Sequence, residues 1–156
     1  MRLVTNTAVV VLALDQATKF AVIQIVDLGY RHAVDVLPPW LNLRMAWNQG
    51  INFGLLSGSG DLTRWLLIAM ALIISAWVWL WVRREPHGKI VKLSAGLLIG
   101  GALGNVLDRL RYGAVADFLN MSAPGIDNPY SFNLADVAIF AGAIGLVIFT
   151  GRDKTP

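Results

Sequence analysis

Long apolar runs constrain this chain more than any other feature of its sequence. They lie at about residues 3–26, 65–82, 93–107 and 134–150. A helix needs about 20 mainly apolar residues to cross the hydrocarbon core of a bilayer, which is about 30 Å thick. Hydrophobic residues make up 56% of the 156 residues and charged residues only 15%, which is low for a soluble domain. The sequence therefore predicts a single all-α membrane domain, residues 1–156, with four transmembrane helices.

The first run begins directly after Arg2, as a cleavable signal peptide would. No small-x-small cleavage site follows the run, and Asp15 and Lys19 interrupt it. We therefore expect the run to be retained as the first transmembrane helix.

Two longer polar segments, at about 27–63 and 108–133, separate the apolar runs. The pair Pro38-Pro39 cannot lie inside a helix. From Leu41 to Trp47 apolar residues alternate with Asn42, Arg44 and Ala46, which is the period of a half-buried strand. We expect a small β element here, resting on the membrane surface with its apolar face towards lipid or substrate.

Basic residues are concentrated at both ends of the chain and in the segment between the second and third runs. That segment carries Arg83, Arg84, Lys89 and Lys92 against the single acid Glu85. Basic flanks stay on the cytoplasmic side of a membrane. Both termini are therefore predicted to be cytoplasmic, and the two polar segments to face outwards.

Composition excludes several classes of site. The chain has no cysteine, and its two histidines, His32 and His87, lie in different connecting segments. Disulfides, thiolate chemistry and cysteine-ligated metals are excluded, and a histidine metal cluster or a serine–histidine relay is not expected. The net charge of +3 comes without a basic stripe, so no nucleic-acid partner is expected either. We predict neither metal nor cofactor.

Two spacings in the runs place side chains on one helix face. Asp15 and Lys19 are four residues apart, so they form either a buried ion pair or a polar contact with an active site or a substrate headgroup. Gly96, Gly100 and Gly104 also recur every four residues, which predicts a face where another helix packs closely.

Asn105, Asp108 and Arg109 end the third run at the predicted outer boundary. Asp108 and Arg109 are consistent with an ordinary interfacial ion pair and a snorkelling cation. They are equally consistent with a functional site, because charges near membrane-spanning segments are costly to keep.

Two further acids follow. Asp117 lies in an apolar setting, and Asp136 comes three residues after Asn133, a candidate helix N-cap. Each acid alone has both a structural and a catalytic interpretation. Together they are predicted to lie on the same outer side, on elements joined by a short loop that could bring them together. Two close carboxylates cannot both ionise easily, so one of them keeps a proton. One can then take a proton from water while the other polarises a carbonyl, which is the chemistry of amide hydrolysis.

Five short motifs occur in order along the chain: Asp15-Gln-Ala-Thr-Lys19, Asn48-Gln-Gly50-Ile-Asn-Phe53, Gly104-Asn105-Val-Leu-Asp108-Arg109, Val115-Ala-Asp117-Phe118 and Phe132-Asn133-Leu-Ala-Asp136. With these motifs the sequence resembles the lipoprotein signal peptidases, the type II signal peptidases of bacteria. The resemblance covers nearly the whole chain. One departure is Asn52, where a small residue is expected before Phe53.

The resemblance implies an aspartyl endopeptidase of the bacterial inner membrane with its active site at the outer leaflet. Such enzymes cleave diacylglyceryl-modified prolipoproteins on the amino side of the lipidated cysteine. The implied fold is a four-helix bundle with a small outer β-cradle and a short outer helix. The implied partners are these substrates, membrane lipids and the peptide inhibitor globomycin, and we expect a monomer.

The matched positions assign roles by resemblance. Asp117 and Asp136 are the implied catalytic pair, and which of them activates water stays open. The implied polar shell is Asn48, Asn105, Arg109 and Asn133. Four further motif positions have less certain roles: Asp15, Lys19, Gly50 and Asp108.

Two other functions remain to be weighed. A non-enzymatic transporter or assembly subunit would use Asp15, Lys19, Asp108 and Arg109 as an ion or substrate path. Against it, the acids gather at one interface and no inverted repeat is evident. An intramembrane protease of the presenilin type would need a Gly-x-Gly-Asp sequence, which is missing.

Overall fold

The computed structural model describes residues 1–50 and 60–151. The chain forms mainly helices, with a small sheet built from two separate parts of the sequence. In chain order the elements are α1 (Arg2–Phe20), a π-helical turn (Ala21–Ile25), α2 (Leu28–Arg31), β1 (Ala33–Leu37), β2 (Leu41–Asn48), α3 (Gly60–Arg84), α4 (Lys89–Tyr112), β3 (Val115–Asn120) and α5 (Leu134–Thr150).

Three helical segments within the described residues are long and apolar enough to cross a membrane. They are Arg2–Ile25, Asp61–Arg84 and Lys89–Tyr112, each of 24 residues. The fourth predicted span corresponds to α5, an apolar helix of 17 residues that is shorter than the others. The short α2 follows the first span.

Helix α4 is longer than the sequence predicted. It continues past the expected boundary at 107 and ends at Tyr112, where Gly113 adopts a left-handed conformation with a φ of 79°. Asp108 and Arg109 therefore lie inside the helix, not in the outer connector predicted to begin at residue 108. A glycine at this position is a common helix stop, because it adopts positive φ without a steric penalty.

The basic segment predicted at 83–92 is also mostly helical. Helix α3 runs through Arg84 and α4 begins at Lys89, so only residues 85–88 connect them. The basic side chains lie at the ends of these helices.

Helix α4 forms the centre of the bundle and contacts α1, α3 and α5. The predicted glycine face is confirmed, because Gly96 and Gly100 lie directly against α1. A Cβ atom at Gly100 would lie 2.6 Å from the carbonyl oxygen of Ala8 and 2.8 Å from the Cβ of Val11. The two helices thus approach at a distance that no larger residue allows.

The sheet is three-stranded and antiparallel, in the order β1-β2-β3. The strand predicted from the alternation at 41–47 is confirmed as β2. The third strand, β3, lies in the polar segment at about 108–133, where no strand was predicted. The sheet packs on a small core in which Val22, Leu28 and Phe118 are buried, so the sheet is held against the C-terminal end of α1 and the turn that follows it.

The glycine face yields a prediction about stability. Gly100→Ala places a Cβ against the backbone of α1, and overpacking of this kind costs about 1–3 kcal/mol. We expect a lower melting temperature for purified protein in detergent. Gly29→Ala is the matched control, since a Cβ there meets nothing within 4 Å. Equal melting temperatures for Gly100→Ala and the unmodified protein would contradict the close helix contact.

Candidate active site

A single side chain, Asn133, connects Asp117 on β3 to Asp136 in the first turn of α5. Its Nδ2 donates to Asp117 Oδ1 at 2.6 Å, and its Oδ1 accepts from the backbone N–H of Asp136 at 2.9 Å. In return the backbone N–H of Asn133 donates to Asp136 Oδ2 at 3.2 Å. Asn133 is fully buried, so the strand and the helix are held together at this point.

The reciprocal bonds between Asn133 and Asp136 form a capping box at the start of α5. A capping box satisfies backbone donors that a helix N-terminus otherwise leaves unpaired. The acid also lies at the positive end of the helix dipole. The N-cap predicted from the spacing of these two residues is therefore confirmed.

Two further amides complete the contacts of the two acids. Asn48 Nδ2 donates to Asp117 Oδ2 at 3.0 Å, and Asn105 Nδ2 donates to Asp136 Oδ1 at 2.9 Å. All four carboxylate oxygens thus accept a hydrogen bond. Three asparagines fix the orientation of both acids without placing a positive charge directly on either.

A β-bulge directs Asn48 towards this site. Ala46 pairs with Asp117 and Leu43 with Leu119, so β2 uses three residues where β3 uses two. The bulge moves Ala46 and Asn48 onto the same face as Asp117. The uninterrupted alternation predicted over 41–47 is therefore wrong beyond Leu43.

Gly50 orients the same asparagine. Its backbone N–H donates to Asn48 Oδ1 at 2.9 Å, which leaves the Asn48 amino group free to face Asp117. Gly50 has a φ of +107°, a conformation that side-chain-bearing residues rarely adopt. The adjacent Asn52, where the sequence departs from the expected motif, lies outside the described residues.

Arg109 lies beside the two acids with unused hydrogen-bonding capacity. Its Nη1 donates to the backbone oxygen of Asn105 at 3.4 Å. Its Nε is buried and has no hydrogen-bond partner among the described residues. Its side chain is partly buried beside the acids.

Of the two interpretations considered for Asp15 and Lys19, the structure shows the buried ion pair, with Lys19 Nζ 2.8 Å from Asp15 Oδ2. Lys19 also pairs with Asp108 at 2.7 Å. The interfacial ion pair considered for Asp108 is therefore wrong, because Asp108 is buried and pairs with Lys19 on α1. Gln16, which sequence reasoning left without a role, donates to Asp15 at 3.1 Å and to Asp108 at 2.9 Å. Its only signal was its place inside the first motif.

An apolar cavity of about 360 Å³ opens next to the acids between α3, α4 and α5. Its polar groups come from Asn105 and Arg109, and its remaining walls are aliphatic. The lining residues are Leu67, Met70, Ala71, Ile74, Leu98, Ala102, Asn105, Arg109 and Ile139. The cavity can therefore hold an apolar chain with a polar group at the end nearest the acids.

Burial raises the pKa of Asp117 from its usual value of 3.8 to about 6. The hydrogen bond from Asn48 lowers the pKa, the charge of Asp136 raises it, and the hydrogen bond from Asn133 and the charge of Lys19 lower it. Asp117 therefore changes its protonation state close to neutral pH. An acid poised in this range beside a second carboxylate is suited to general acid–base catalysis.

A metal site is not formed by these residues. Across residues 1–50 and 60–151, no group of three or more histidine, aspartate and glutamate side chains is arranged to hold a metal ion. The polar contacts at the site come from amides, carboxylates and one guanidinium.

Comparison with known proteins identifies the family of this chain. The family described as Signal peptidase (SPase) II matches residues 7–151. The chain belongs to the signal peptidase II family. The lipoprotein signal peptidase of Methylobacterium sp. (strain 4-46) is 42% identical over 144 residues, covering 92% of this chain and 86% of the relative. That of Rhodopseudomonas palustris is 39% identical over 150 residues, covering 94% and 90%.

A solved structure described as a bacterial membrane enzyme, determined by the in meso method at 1.9 Å, has the same fold. It is 29% identical, with a TM-score of 0.79, covering 97% of this chain and 94% of that chain. The family resemblance predicted from the five motifs is confirmed. The chain is a bacterial membrane enzyme, an aspartic peptidase of lipoprotein processing. The transporter, subunit and presenilin-type alternatives are set aside.

The contact from Asn48 generates a prediction about pH dependence. Because its hydrogen bond lowers the pKa of Asp117, Asn48→Ala should raise that pKa further above its ordinary value. The limb of the pH–rate profile that reports Asp117 ionisation should move upwards by up to about one pH unit, since a hydrogen bond to a charged group contributes about 1.5 kcal/mol. Initial cleavage rates across a pH series measure the shift.

Gln49→Ala is the control for this series, because Gln49 lines a separate pocket with Asp61, Arg64 and Gly113. We expect its profile to match that of the unmodified enzyme. An Asn48→Ala limb that stays in place or moves to lower pH would show that this amide does not stabilise the ionised acid.

Proposed function

We propose that Asp117 and Asp136 are the catalytic pair of this peptidase. The observation that carries the proposal is that the buried Asn133 contacts both acids. Its side chain donates to Asp117 and its backbone N–H donates to Asp136. The side-chain amides of Asn48 and Asn105 donate to the two remaining carboxylate oxygens. In the proposed reaction one acid is ionised and the other protonated. The two act as a coupled pair, so the proton is assigned to the pair and not to one residue.

The ionised acid takes a proton from water, and the water oxygen attacks the scissile carbonyl carbon. The protonated acid donates a hydrogen bond to the carbonyl oxygen as negative charge develops there. The acid that took the proton from water then gives it to the amide nitrogen. The carbonyl re-forms as the C–N bond breaks, which leaves a carboxyl group on the signal peptide and releases the new amino terminus. Each step uses a group whose position fits general acid–base catalysis.

The asparagines and Arg109 support these steps. Asn48, Asn105 and Asn133 keep the carboxylates in fixed orientations, which lowers the cost of reaching the reactive geometry. Gly50 holds Asn48 in place. The free Nε of Arg109 is proposed to donate to a substrate carbonyl near the scissile bond, because a buried guanidinium donor without a partner is costly.

The proposed substrate is a diacylglyceryl-modified prolipoprotein, cleaved on the amino side of the lipidated cysteine. The cavity between α3, α4 and α5 is apolar apart from Asn105 and Arg109 and is adjacent to the acids. It is suited to an apolar part of such a substrate, with the scissile peptide at its polar end. Globomycin is proposed to occupy the same site.

We further propose one domain over residues 1–156, with four spans, both termini cytoplasmic and the acids at the outer leaflet of the inner membrane. Gly96 contacts Val4 while Gly104 contacts Asp15, so α1 and α4 run in the same direction. The basic ends of α3 and α4 then lie at the end of the bundle opposite the acids. The positive-inside rule makes that end cytoplasmic. We expect the enzyme to act as a monomer among membrane lipids.

Asp117→Asn and Asp136→Asn are each expected to reduce cleavage by more than about a thousandfold, because either change removes one half of the acid–base pair. The measurement is cleavage of a diacylglyceryl-modified prolipoprotein by purified protein in detergent, with and without globomycin, with products read by mass spectrometry. Asp127→Asn, at an exposed position in the segment after β3, should cleave normally. Substantial turnover by a folded Asp117→Asn protein would rule out this catalytic pair.

Filling the apolar cavity should weaken substrate binding. Ala71→Trp introduces an indole into the cavity wall, and we expect KM for the lipidated substrate to rise about tenfold or more while the melting temperature changes little. Ile73→Trp is the control, since Ile73 is on the same helix and 67% exposed. If both variants show the unmodified KM, the substrate does not use this cavity.

A further inference from the structure

The cluster of Lys19, Asp15 and Asp108 is almost completely shielded from solvent. The exposed fractions of these residues are 2%, 0% and 1%. Burying three charged groups carries a large desolvation cost, and apolar residues of similar volume often give equal or greater stability. The proposed chemistry at Asp117 and Asp136 does not use these three side chains directly. Their retention in the bundle therefore calls for another role.

Two hydrogen bonds to the backbone indicate that role. Asp108 Oδ2 accepts from the backbone N–H of Ala116 at 3.2 Å. Asp15 Oδ1 accepts from the backbone N–H of Ala135 at 3.0 Å. Ala116 immediately precedes Asp117, and Ala135 immediately precedes Asp136. Each buried carboxylate thus holds the backbone one residue before one member of the catalytic pair.

Lys19 connects the two buried carboxylates, Asp15 and Asp108. It donates to Asp15 and pairs with Asp108, so the carboxylates are fixed relative to each other as well as to the backbone. Its Nζ also donates to Asn105 Oδ1 at 3.4 Å, and Asn105 in turn donates to Asp136. Gln16 donates to both carboxylates and links them a second time.

We propose that Asp15 and Asp108, bridged by Lys19, are positioning residues that set the separation of the two catalytic carboxylates. The inference rests on the proposed function of Asp117 and Asp136. A strand and a helix carry these acids, and the cluster fixes both elements to the same point between α1 and α4. A displacement of about 1 Å at a catalytic group can cost about a hundredfold in rate.

The test compares two substitutions at each carboxylate. Asp108→Asn and Asp15→Asn retain an oxygen that can accept the backbone N–H, whereas Asp108→Ala and Asp15→Ala do not. We expect each alanine variant to lose about a hundredfold or more in kcat with KM unchanged. We expect the kcat of each asparagine variant to be at least tenfold higher than that of the alanine variant at the same position. Melting temperatures are measured for all four in the same detergent.

The pH–rate profile separates positioning from general destabilisation. Two carboxylates held close together titrate at well-separated apparent pKa values. If the alanine variants let the pair move apart, the two limbs of the profile should approach each other. A purely structural role would lower the amount of folded enzyme without changing the width of the profile.

Gln16→Leu serves as the second variant if an alanine variant does not fold, because it removes a link without leaving a buried charge unpaired. We expect about a tenfold fall in kcat with KM and melting temperature kept. Ser94→Ala is the control: Ser94 is buried in α4 but lies 14 residues before Asp108, and its kinetics should not change.

The outcomes distinguish this inference from the proposed function. Failure of the unmodified protein to cleave lipidated substrate would overturn the proposed function itself. Normal cleavage by that protein, together with unchanged kcat and profile width in the folded cluster variants, would overturn only the positioning role. Equal kcat for the alanine and asparagine variants would also overturn it, because the accepting oxygen would then have no effect.

Discussion

The close approach of α4 to its neighbours is the constraint on which the rest of the structure depends. Glycine at positions 100 and 104 lets α1 lie directly against α4, and a Cβ at Gly104 would lie 2.6 Å from the Asp15 carboxylate. That carboxylate occupies the space a side chain would otherwise take, and from there it reaches the first turn of α5. In a medium without water, buried polar groups must find partners within the protein. The glycines of α4 therefore determine both how closely α1 approaches α4 and whether Asp15 can form its hydrogen bond to α5.

Lys19 forms its ion pairs with Asp15 and Asp108 and not with the proposed catalytic acids, Asp117 and Asp136. Lys19 contacts Asp15 and Asp108 directly, while Asp117 is contacted by uncharged amides. A direct ion pair would favour the ionised form and lower the pKa of a catalytic acid. The amides orient the Asp117 carboxylate but carry no charge to neutralise it. The effect of burial is therefore larger than that of the hydrogen bonds, and the pKa of Asp117 stays raised, at about 6. The site combines fixed geometry with an acid that can hold a proton near neutral pH.

Local sequence patterns predicted much of the fold but only part of the site. The alternation in β2 and the N-cap at Asn133 were predictable because their signals lie within a few residues. Strand β3 was missed because it is buried along nearly its whole length, so it shows no alternation. The pairing of Lys19 with Asp108 joins residues far apart in sequence and depends on how two helices meet. Spacing rules apply only to residues a few positions apart on one element. Only the family motifs indicated that Lys19 and Asp108 lie near the same site.

The unequal lengths of the helices have a consequence for the surrounding lipid. At about 1.5 Å per residue, α5 extends roughly 26 Å, whereas α3 and α4 extend roughly 36 Å. A bilayer adapts to a short span by thinning locally. If α5 crosses the bilayer as proposed, the headgroup region beside it is drawn inwards, towards the turn that carries Asp136. The proposed hydrolysis needs water at Asp136, and local thinning would shorten the path that this water takes through hydrocarbon.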